Sequence, residues 1–228
     1  MPREQTLGAF LDELASAAPT PGGGAAAALT LAQSAALLSM VCALTLGKQK
    51  FADRETAIRL IHAHTEAIRS ASERLIDADA RAFGGFGLAA ALPKDTPEAA
   101  ALRSQALQAA SADSAAVPGA VFSLAAALLA PGGPAAHLAV LGNPNVLSDV
   151  HVARHLAWAA LESAEENVRV NLPGLKNPGL AAEWEARLDR KALPERSRMP
   201  SPEGVLRSDG PADVARILAL VPSRLWGD

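Results

Sequence analysis

The chain predicts an all-α fold, a helical bundle organised around one buried alanine-rich helix, on three observations. Half of its 228 residues are hydrophobic, yet aromatics make up only 4% and tyrosine is absent; alanine, the strongest helix former, supplies the difference. The β-branched runs expected of strands are missing. Finally, Ala25 to Leu46 is apolar without a single charge. That stretch is long enough to span a bilayer, which takes about 20 residues. Its alanine content, the polar Thr30, Gln33, Ser34, Ser39 and Thr45 along it, and the lack of flanking aromatic anchors fit a core helix better. Small side chains let neighbouring helices approach it on every side.

The elements follow in order. Leu7, Phe10, Leu11 and Leu14 repeat at helical spacing and predict an amphipathic first helix, closed by Pro19 and Pro21. Gly22, Gly23 and Gly24 then open into the central helix at about Ala25. Without β-carbons their N–H groups can face a ligand, and the helix start adds unpaired N–H groups and partial positive charge. Read blandly, the glycine run is a turn. Gly47 ends the helix, with Lys48 and Lys50 just beyond, and residues 51–53 form a link. From Arg54 to about Phe83 a long helix carries the stripe Ile58, Ile61, Thr65, Ile68, Ser72, Leu75 and then Asp79, at the spacing of a bundle seam. Asp79 stands where a leucine is expected, and a carboxylate there is costly unless paired or functional. Asp77 is expected to point elsewhere, into solvent.

Gly84, Gly85 and Gly87 are expected to break the long helix or loosen its end. Asp95 or Thr96 can cap the next helix, with Pro97 in its first turn. That helix, Glu98 to Val117, sets Leu102, Ala106, Ala109, Asp113 and Val117 on one side, which makes Asp113 a second candidate inward carboxylate. Pro118 kinks or ends it, and an apolar helix continues from Gly119 to Ala130. A short turn at 137–141 and the signal Gly142-Asn143-Pro144-Asn145 precede a long helix from Leu147 to Asn171. Its inward residues are Val150, Ala153, Ala157, Ala160, Ala164 and Val168, and Asn167 and Asn171 bring polar groups to its far end. Asp149 lies in its first turn, either as a simple cap or as a functional carboxylate favoured by the helix dipole. A shorter helix, 180–193, carries Trp184 and Leu188. Residues 1–193 are read as one helical domain. Residues 194–228 are read as an extension, helical only at 212–220.

Charge and composition exclude several classes. A net charge of −3 leaves no electrostatic footprint for nucleic acid or an anionic membrane, so neither is expected as a partner. The single cysteine, Cys42, sits inside the apolar helix and reads as a core residue in a reducing, cytoplasmic compartment. Charges at Arg3, Glu4, Asp12 and Glu13 argue against a signal peptide. His151 and His155 share a helix face, but no cysteine cluster or HExxH glutamate completes a metal site, so no metal is expected.

One ordered set of motifs remains: PTPGGG entering the apolar helix, LTLGKQKF, Asp79 with Ala82-Phe83, LPKDT, Val117-Pro118, GNPNVLSDV and NVRVNL. In order and spacing, over roughly Leu7 to Asn177, this resembles the formiminotransferase-cyclodeaminase C-terminal family, which includes cyclodeaminases and stand-alone methenyltetrahydrofolate cyclohydrolases. Phe51 and Phe83 stand where that family commonly has tyrosine. The resemblance implies an up-and-down bundle that forms a homodimer, with a folate site near the subunit contact. It also implies a reduced folate as substrate and no cofactor beyond tetrahydrofolate as carrier. The expected reaction is cyclisation of 5-formiminotetrahydrofolate to 5,10-methenyltetrahydrofolate with release of ammonia, or hydrolysis of the methenyl compound to 10-formyltetrahydrofolate. Both handle an amidinium-like cation that a carboxylate can stabilise. Asp79 and Asp149 are the candidate catalytic residues. Pro21, Gly22, Gly23, Gly24, Lys48, Lys50, Lys94, Asn145, Ser148 and Arg169 are the candidate substrate-binding residues. The alternative is a catalytically silent folate-binding or helical interaction protein.

Overall fold

A computed structural model describes residues 2–188 together with residues 190, 193, 194, 196 and 219. The 194–228 extension and its expected helix at 212–220 lie almost wholly outside the described residues. Among the described residues the chain is helical throughout: α1 (Leu7–Leu14), α2 (Gly23–Ala43), α3 (Glu55–Ala90), α4 (Pro97–Leu129), α5 (Pro134–Leu141), α6 (Leu147–Asn171) and α7 (Pro178–Arg187), with short 3-10 turns between them. Helix α2 packs along α3 and α6, and α4 packs along the same two, so four long helices close a ring. Short connections make successive long helices antiparallel, the up-and-down arrangement. Helix α5 packs among all four.

Local chemistry sets most boundaries. Thr6 and Thr96 cap α1 and α4, their Oγ1 atoms accepting from the N–H of Ala9 at 3.2 Å and of Ala99 at 3.1 Å. Helix α2 begins earlier than its apolar run suggests: Gly22 is the cap, and Gly23 and Gly24 form its first turn. Beyond its end, Gly47 adopts a left-handed φ of 71°, which stops the helix. The Asn143 side chain then ties the loop before α6 to that end, its Nδ2 donating to the Leu44 carbonyl at 3.2 Å.

The core is made of small residues with a spine of large ones. Ile58, Ile61, Ile68 and Leu75 of α3 are fully buried against Leu31, Leu38 and Val41 of α2 and Leu161 of α6. Each such burial contributes about 1.5–3 kcal/mol. Buried hydroxyls are satisfied within the bundle: Ser34 Oγ donates to the Ala153 carbonyl at 2.7 Å and Ser39 Oγ to Thr65 Oγ1 at 2.8 Å. The thiol of Cys42 is buried, which pushes its pKa up to about 12 and makes it a core group. Helix α2 and the stretch 97–141 are each apolar and long enough to cross a membrane; here most of each is packed inside the bundle.

Several expectations need correction. Helix α2 is not enclosed on every side, since Gln33, Ala36, Met40, Ala43 and Leu44 form an exposed stripe. In α1 only Phe10 is buried, while Leu7 and Leu11 face outward. The glycines at 84, 85 and 87 do not break α3, which runs on to Ala90 and forms, with the start of α4, a hairpin exposing Phe83, Phe86, Leu88 and Leu102. Leu102 therefore leaves the inward face assigned to it. An alanine-rich helix gives little contrast between faces, and burial here begins at Ala110 and Ser111.

Two of the differences have clear electrostatic or hydrogen-bonding causes. Helix α4 continues through Pro118. Proline has no N–H, so the carbonyl of Ser114, four residues earlier, loses its helical donor. Asn171 of α6 supplies the replacement, its Nδ2 donating to the Ser114 oxygen at 3.1 Å. Asp77 is not solvated: it is 3% exposed, paired with Arg3 Nε at 3.0 Å, and it accepts from the Arg3 backbone N–H at 3.2 Å. Arg3 thus pins the N-terminal strand of chain to α3. Removing the cation strands a buried carboxylate, whereas removing the carboxylate leaves a half-exposed guanidinium that water can reach. Arg3→Ala should therefore lower stability by about 1–3 kcal/mol, and more than Asp77→Asn does; urea unfolding midpoints check the order, and equal values would mean that water solvates Asp77.

Candidate functional site

Helix dipoles, a missing β-carbon and one carboxylate build the candidate site. Asp79 closes the inward stripe of α3 where α3 passes the N-terminus of α2. Its Oδ2 accepts the N–H of Ala25 at 3.0 Å, satisfying one of the donors that a helix start leaves unpaired. A β-carbon on Gly24 would sit 2.7 Å from Asp79 Cγ, so only glycine admits the carboxylate this close. Burial raises the carboxyl pKa above its ordinary value, and the Ala25 N–H pulls the other way and only partly offsets it. Gly23 and Gly24 have no intrahelical acceptors for their own N–H groups.

A cavity of about 300 Å³ opens beside this contact. Pro19, Thr20, Gly22, Gly23, Gly24 and Asp79 form one wall, with Ala82 and the exposed ring of Phe83 beside them. Ser114 of α4 and Asn167, Val170 and Asn171 of α6 form the facing wall. Both amides on that wall are held by backbone: Asn167 Nδ2 donates to the Ser163 carbonyl at 2.8 Å, and Asn171 Nδ2 to Asn167 O at 2.7 Å as well as to Ser114 O. The result is a pocket of mixed polar and apolar lining, with a raised-pKa carboxyl and helix-start donors on one side and amide groups on the other. Such a pocket suits proton transfer to or from a bound ligand. Among the described residues no group of three or more His, Cys, Asp or Glu side chains could hold a metal ion.

The other sequence candidates lie elsewhere. Gly22, Gly23, Gly24 and Asp79 come together at this cavity, with Pro21 buried beside them in sequence but not lining it. Asp149, half-buried in the first turn of α6, and the exposed Asn145 and Ser148 belong to the opposite end of the bundle. Asn167 follows Asp149 by a helical rise of about 27 Å. Lys48 and Lys50 are at that opposite end too, past the C-terminus of α2, with Lys50 Nζ 4.6 Å above the Phe51 ring. Lys94 is exposed in the α3–α4 link, and Arg169 is exposed and ion-paired with Glu165 at 3.0 Å and Glu185 at 3.1 Å. Asp113 is half-buried but does not line the cavity; its neighbour Ser114 does. Ser114, Asn167 and Asn171 were not singled out as site residues from sequence, although the last two lie in the NVRVNL motif.

The glycines give a sharp contrast within one helical turn. Gly24→Ala forces the Asp79 carboxylate off the Ala25 N–H and should destabilise by about 1–3 kcal/mol. At Gly23 an added methyl would meet only the Asn167 amide at 3.4 Å, an ordinary contact. Gly23→Ala should therefore be neutral or stabilising by up to about 1 kcal/mol. Thermal melting of the two variants checks this, and equal losses would remove the close approach as the reason for Gly24.

The formiminotransferase-cyclodeaminase family model matches residues 6–190. A methenyltetrahydrofolate cyclohydrolase of Methylorubrum extorquens is 40% identical over 183 residues, covering 80% of this chain and 86% of that protein. The formimidoyltransferase-cyclodeaminase of Sus scrofa is 36% identical over 183 residues, 80% of this chain and only 33% of that longer protein. Among solved structures, a formiminotetrahydrofolate cyclodeaminase of Thermotoga maritima superposes with a TM-score of 0.72 at 26% identity, covering 98% of both chains. With the family model spanning the whole bundle, and relatives of this identity aligned along most of it, the chain belongs to the formiminotransferase-cyclodeaminase family.

Proposed function

We propose that this chain is an enzyme acting on the N5/N10 one-carbon bridge of a reduced folate, hydrolysing 5,10-methenyltetrahydrofolate to 10-formyltetrahydrofolate. One observation carries the chemistry: a half-buried carboxyl of raised pKa, fixed by a helix N-terminus, at the wall of a cavity that also presents helix-start N–H groups and asparagine amides. The direction is favoured by the 40% identical cyclohydrolase, which this chain covers over 86% of its length. A second reading is supported by the cyclodeaminase structure that superposes over 98% of the chain: cyclisation of 5-formiminotetrahydrofolate with loss of ammonia.

In the hydrolytic direction, ionised Asp79 faces the methenyl cation and takes a proton as water adds to the bridge carbon. The tetrahedral adduct then breaks its bond to N5, which receives that proton back from Asp79, and the hydroxyl loses its own proton to leave a formyl group on N10. In the deaminase direction N10 attacks the carbon of the protonated formimino group, an amidinium; the N10 proton passes to Asp79, and Asp79 returns it to the amino group, which leaves as ammonia and yields the methenyl cation. Tetrahydrofolate carries the carbon, and the reading calls on no further cofactor. The lone buried Cys42 supports a cytoplasmic setting.

A homodimer is part of this reading, and its support is geometric. The exposed stripe on the C-terminal half of α2, ending in Met40 and Leu44, makes an apolar face with Leu60 and Val152 on the flanking helices. An antiparallel pairing of two copies along α2 brings the far end of one bundle beside the cavity of the other. Lys48, Lys50, Asn145, Ser148 and Asp149 of one subunit then stand near Asp79 and Gly22–Gly24 of the second. That gives the distant candidates a place at the folate, with the two lysines available to its anionic tail.

Two measurements test the proposal. Following the methenyl absorbance, purified protein should consume 5,10-methenyltetrahydrofolate faster than the uncatalysed rate; formation from the formimino compound instead would select the second reading, and neither would leave a silent folate-binding protein. Asp79→Asn should abolish turnover. It should also leave thermal stability at pH 7 unchanged or higher: a carboxyl whose pKa is raised by folding stabilises the fold least when ionised, and the difference should vanish below about pH 4. Near-normal turnover in that variant would remove Asp79 from the mechanism. For the dimer, Met40→Glu should halve the mass seen by light scattering and lower turnover at least about tenfold; a monomeric wild type with full activity would discard the composite site.

A further inference from the structure

The kinked-helix signal at Pro118 and the NVRVNL motif meet at one atom, the carbonyl oxygen of Ser114. We infer that Asn171 is the group that orients the one-carbon chemistry through its amide oxygen, and that Pro118 holds Asn171 in position by leaving that carbonyl open. The inference rests on the folate reading above and adds a residue and a cause to it.

A proline inside a helix costs about 3 kcal/mol and strips one carbonyl of its donor. In α4 the stripped carbonyl is that of Ser114, which lies on the cavity wall. Asn171 fills the vacancy from a different helix at 3.1 Å and spends its second amide hydrogen on the Asn167 carbonyl at 2.7 Å. An amide nitrogen has two hydrogens, and both are used. Rotating the amide by half a turn would press its oxygen against two carbonyl oxygens, so the orientation is fixed by partners rather than assigned by convention. The Asn171 oxygen is therefore committed as an acceptor, on the wall facing Asp79. Asn167, one turn earlier, has its nitrogen tied to Ser163 O and its amide beside Gly23.

A neutral acceptor beside a carboxylate has a definite use here. The methenyl bridge bears no N–H, so during hydrolysis the Asn171 oxygen accepts a hydrogen bond from one O–H of the attacking water while Asp79 takes the other hydrogen as a proton. The water lone pair is thereby aimed at the bridge carbon. With a formimino substrate the same oxygen accepts from the imino nitrogen. For the methenyl compound the acceptor touches the nucleophile and not the substrate, so its loss should appear in kcat and hardly in KM.

The test uses the full chain, 5,10-methenyltetrahydrofolate and two variants. Asn171→Leu keeps the volume and removes the oxygen; kcat should fall about tenfold or more with KM within about twofold. Pro118→Ala touches no substrate; it returns an N–H to Ser114 and releases the Asn171 amide. Its kcat should fall in the same sense, by about threefold or more, with a melting temperature equal to or above that of the wild type. A wild-type kcat in Asn171→Leu overturns the role of the oxygen. A wild-type kcat in a folded Pro118→Ala overturns the positioning by proline, and this variant also decides the matter if Asn171→Leu fails to fold. Turnover of neither folate by the wild type would instead overturn the reading of the preceding subsection, and this inference with it.

Discussion

The contact between the Asp79 carboxylate and the first turn of α2 is the constraint on which the rest of the structure depends. Two opposing effects meet in it. Removal from water disfavours the ionised carboxyl, while the Ala25 N–H and the positive end of a helix favour it. Burial is the larger, so the carboxyl holds a proton more readily than an ordinary aspartate does. Geometry allows the balance only because Gly24 has no side chain, and α2 therefore cannot slide or rotate against α3 without losing its partner. The buried Ser39–Thr65 hydrogen bond fixes the same pair of helices four turns further on.

A bundle of alanines makes such a contact possible. Large side chains would hold the helix axes apart, whereas small ones let backbone groups of one helix reach side chains of the next. The pattern recurs: Ser34 donates to the Ala153 carbonyl of α6, and Asn171 of α6 donates to the Ser114 carbonyl of α4. At Gly119, beside Pro118, a β-carbon would overlap the Trp184 ring, which seats α7 on α4. The helices are thus stitched by side-chain-to-backbone bonds, and each bond places a polar group where a purely apolar interface would have none.

What the sequence disclosed, and what it hid, follows the same division. Helix α6 was legible to the residue, Leu147 to Asn171, because a strong turn precedes it and a regular inward stripe runs along it. Asp79 stood out because a carboxylate interrupted a stripe of isoleucine and leucine. Asp77 was misread because its partner is Arg3, and nothing local announces a pairing across 74 positions. Pro118 reads locally as a break, since the donor that repairs the helix comes from Asn171, 57 positions away. The inward face of α4 was misplaced at Leu102 because alanine on every side leaves little asymmetry to read. Asn167 and Asn171 were visible as polar residues, but their significance lies in which hydrogens are already spent, and only packing decides that.

Antiparallel topology explains why the motif residues divide into two groups. In an up-and-down bundle, the start of α2, the later part of α3 and the end of α6 share one end, where the cavity is. The end of α2 and the start of α6, with Lys48 and Asp149, necessarily share the other. No repacking within one chain can bring the groups together, because each is tied to its own end of helices about 30 Å long. On the proposed reading the cavity volume makes the same point. About 300 Å³ is at the small end for a ligand site, room for one ring system and its bridge carbon. The rest of a folate must lie outside, across the exposed Phe83 and Val170, and its anionic tail finds no lysine among the residues lining this cavity. In the proposed dimer, a second copy paired along α2 supplies both what the cavity lacks, a covering surface and positive charge, from the end of the bundle that otherwise has no part in the proposed reaction.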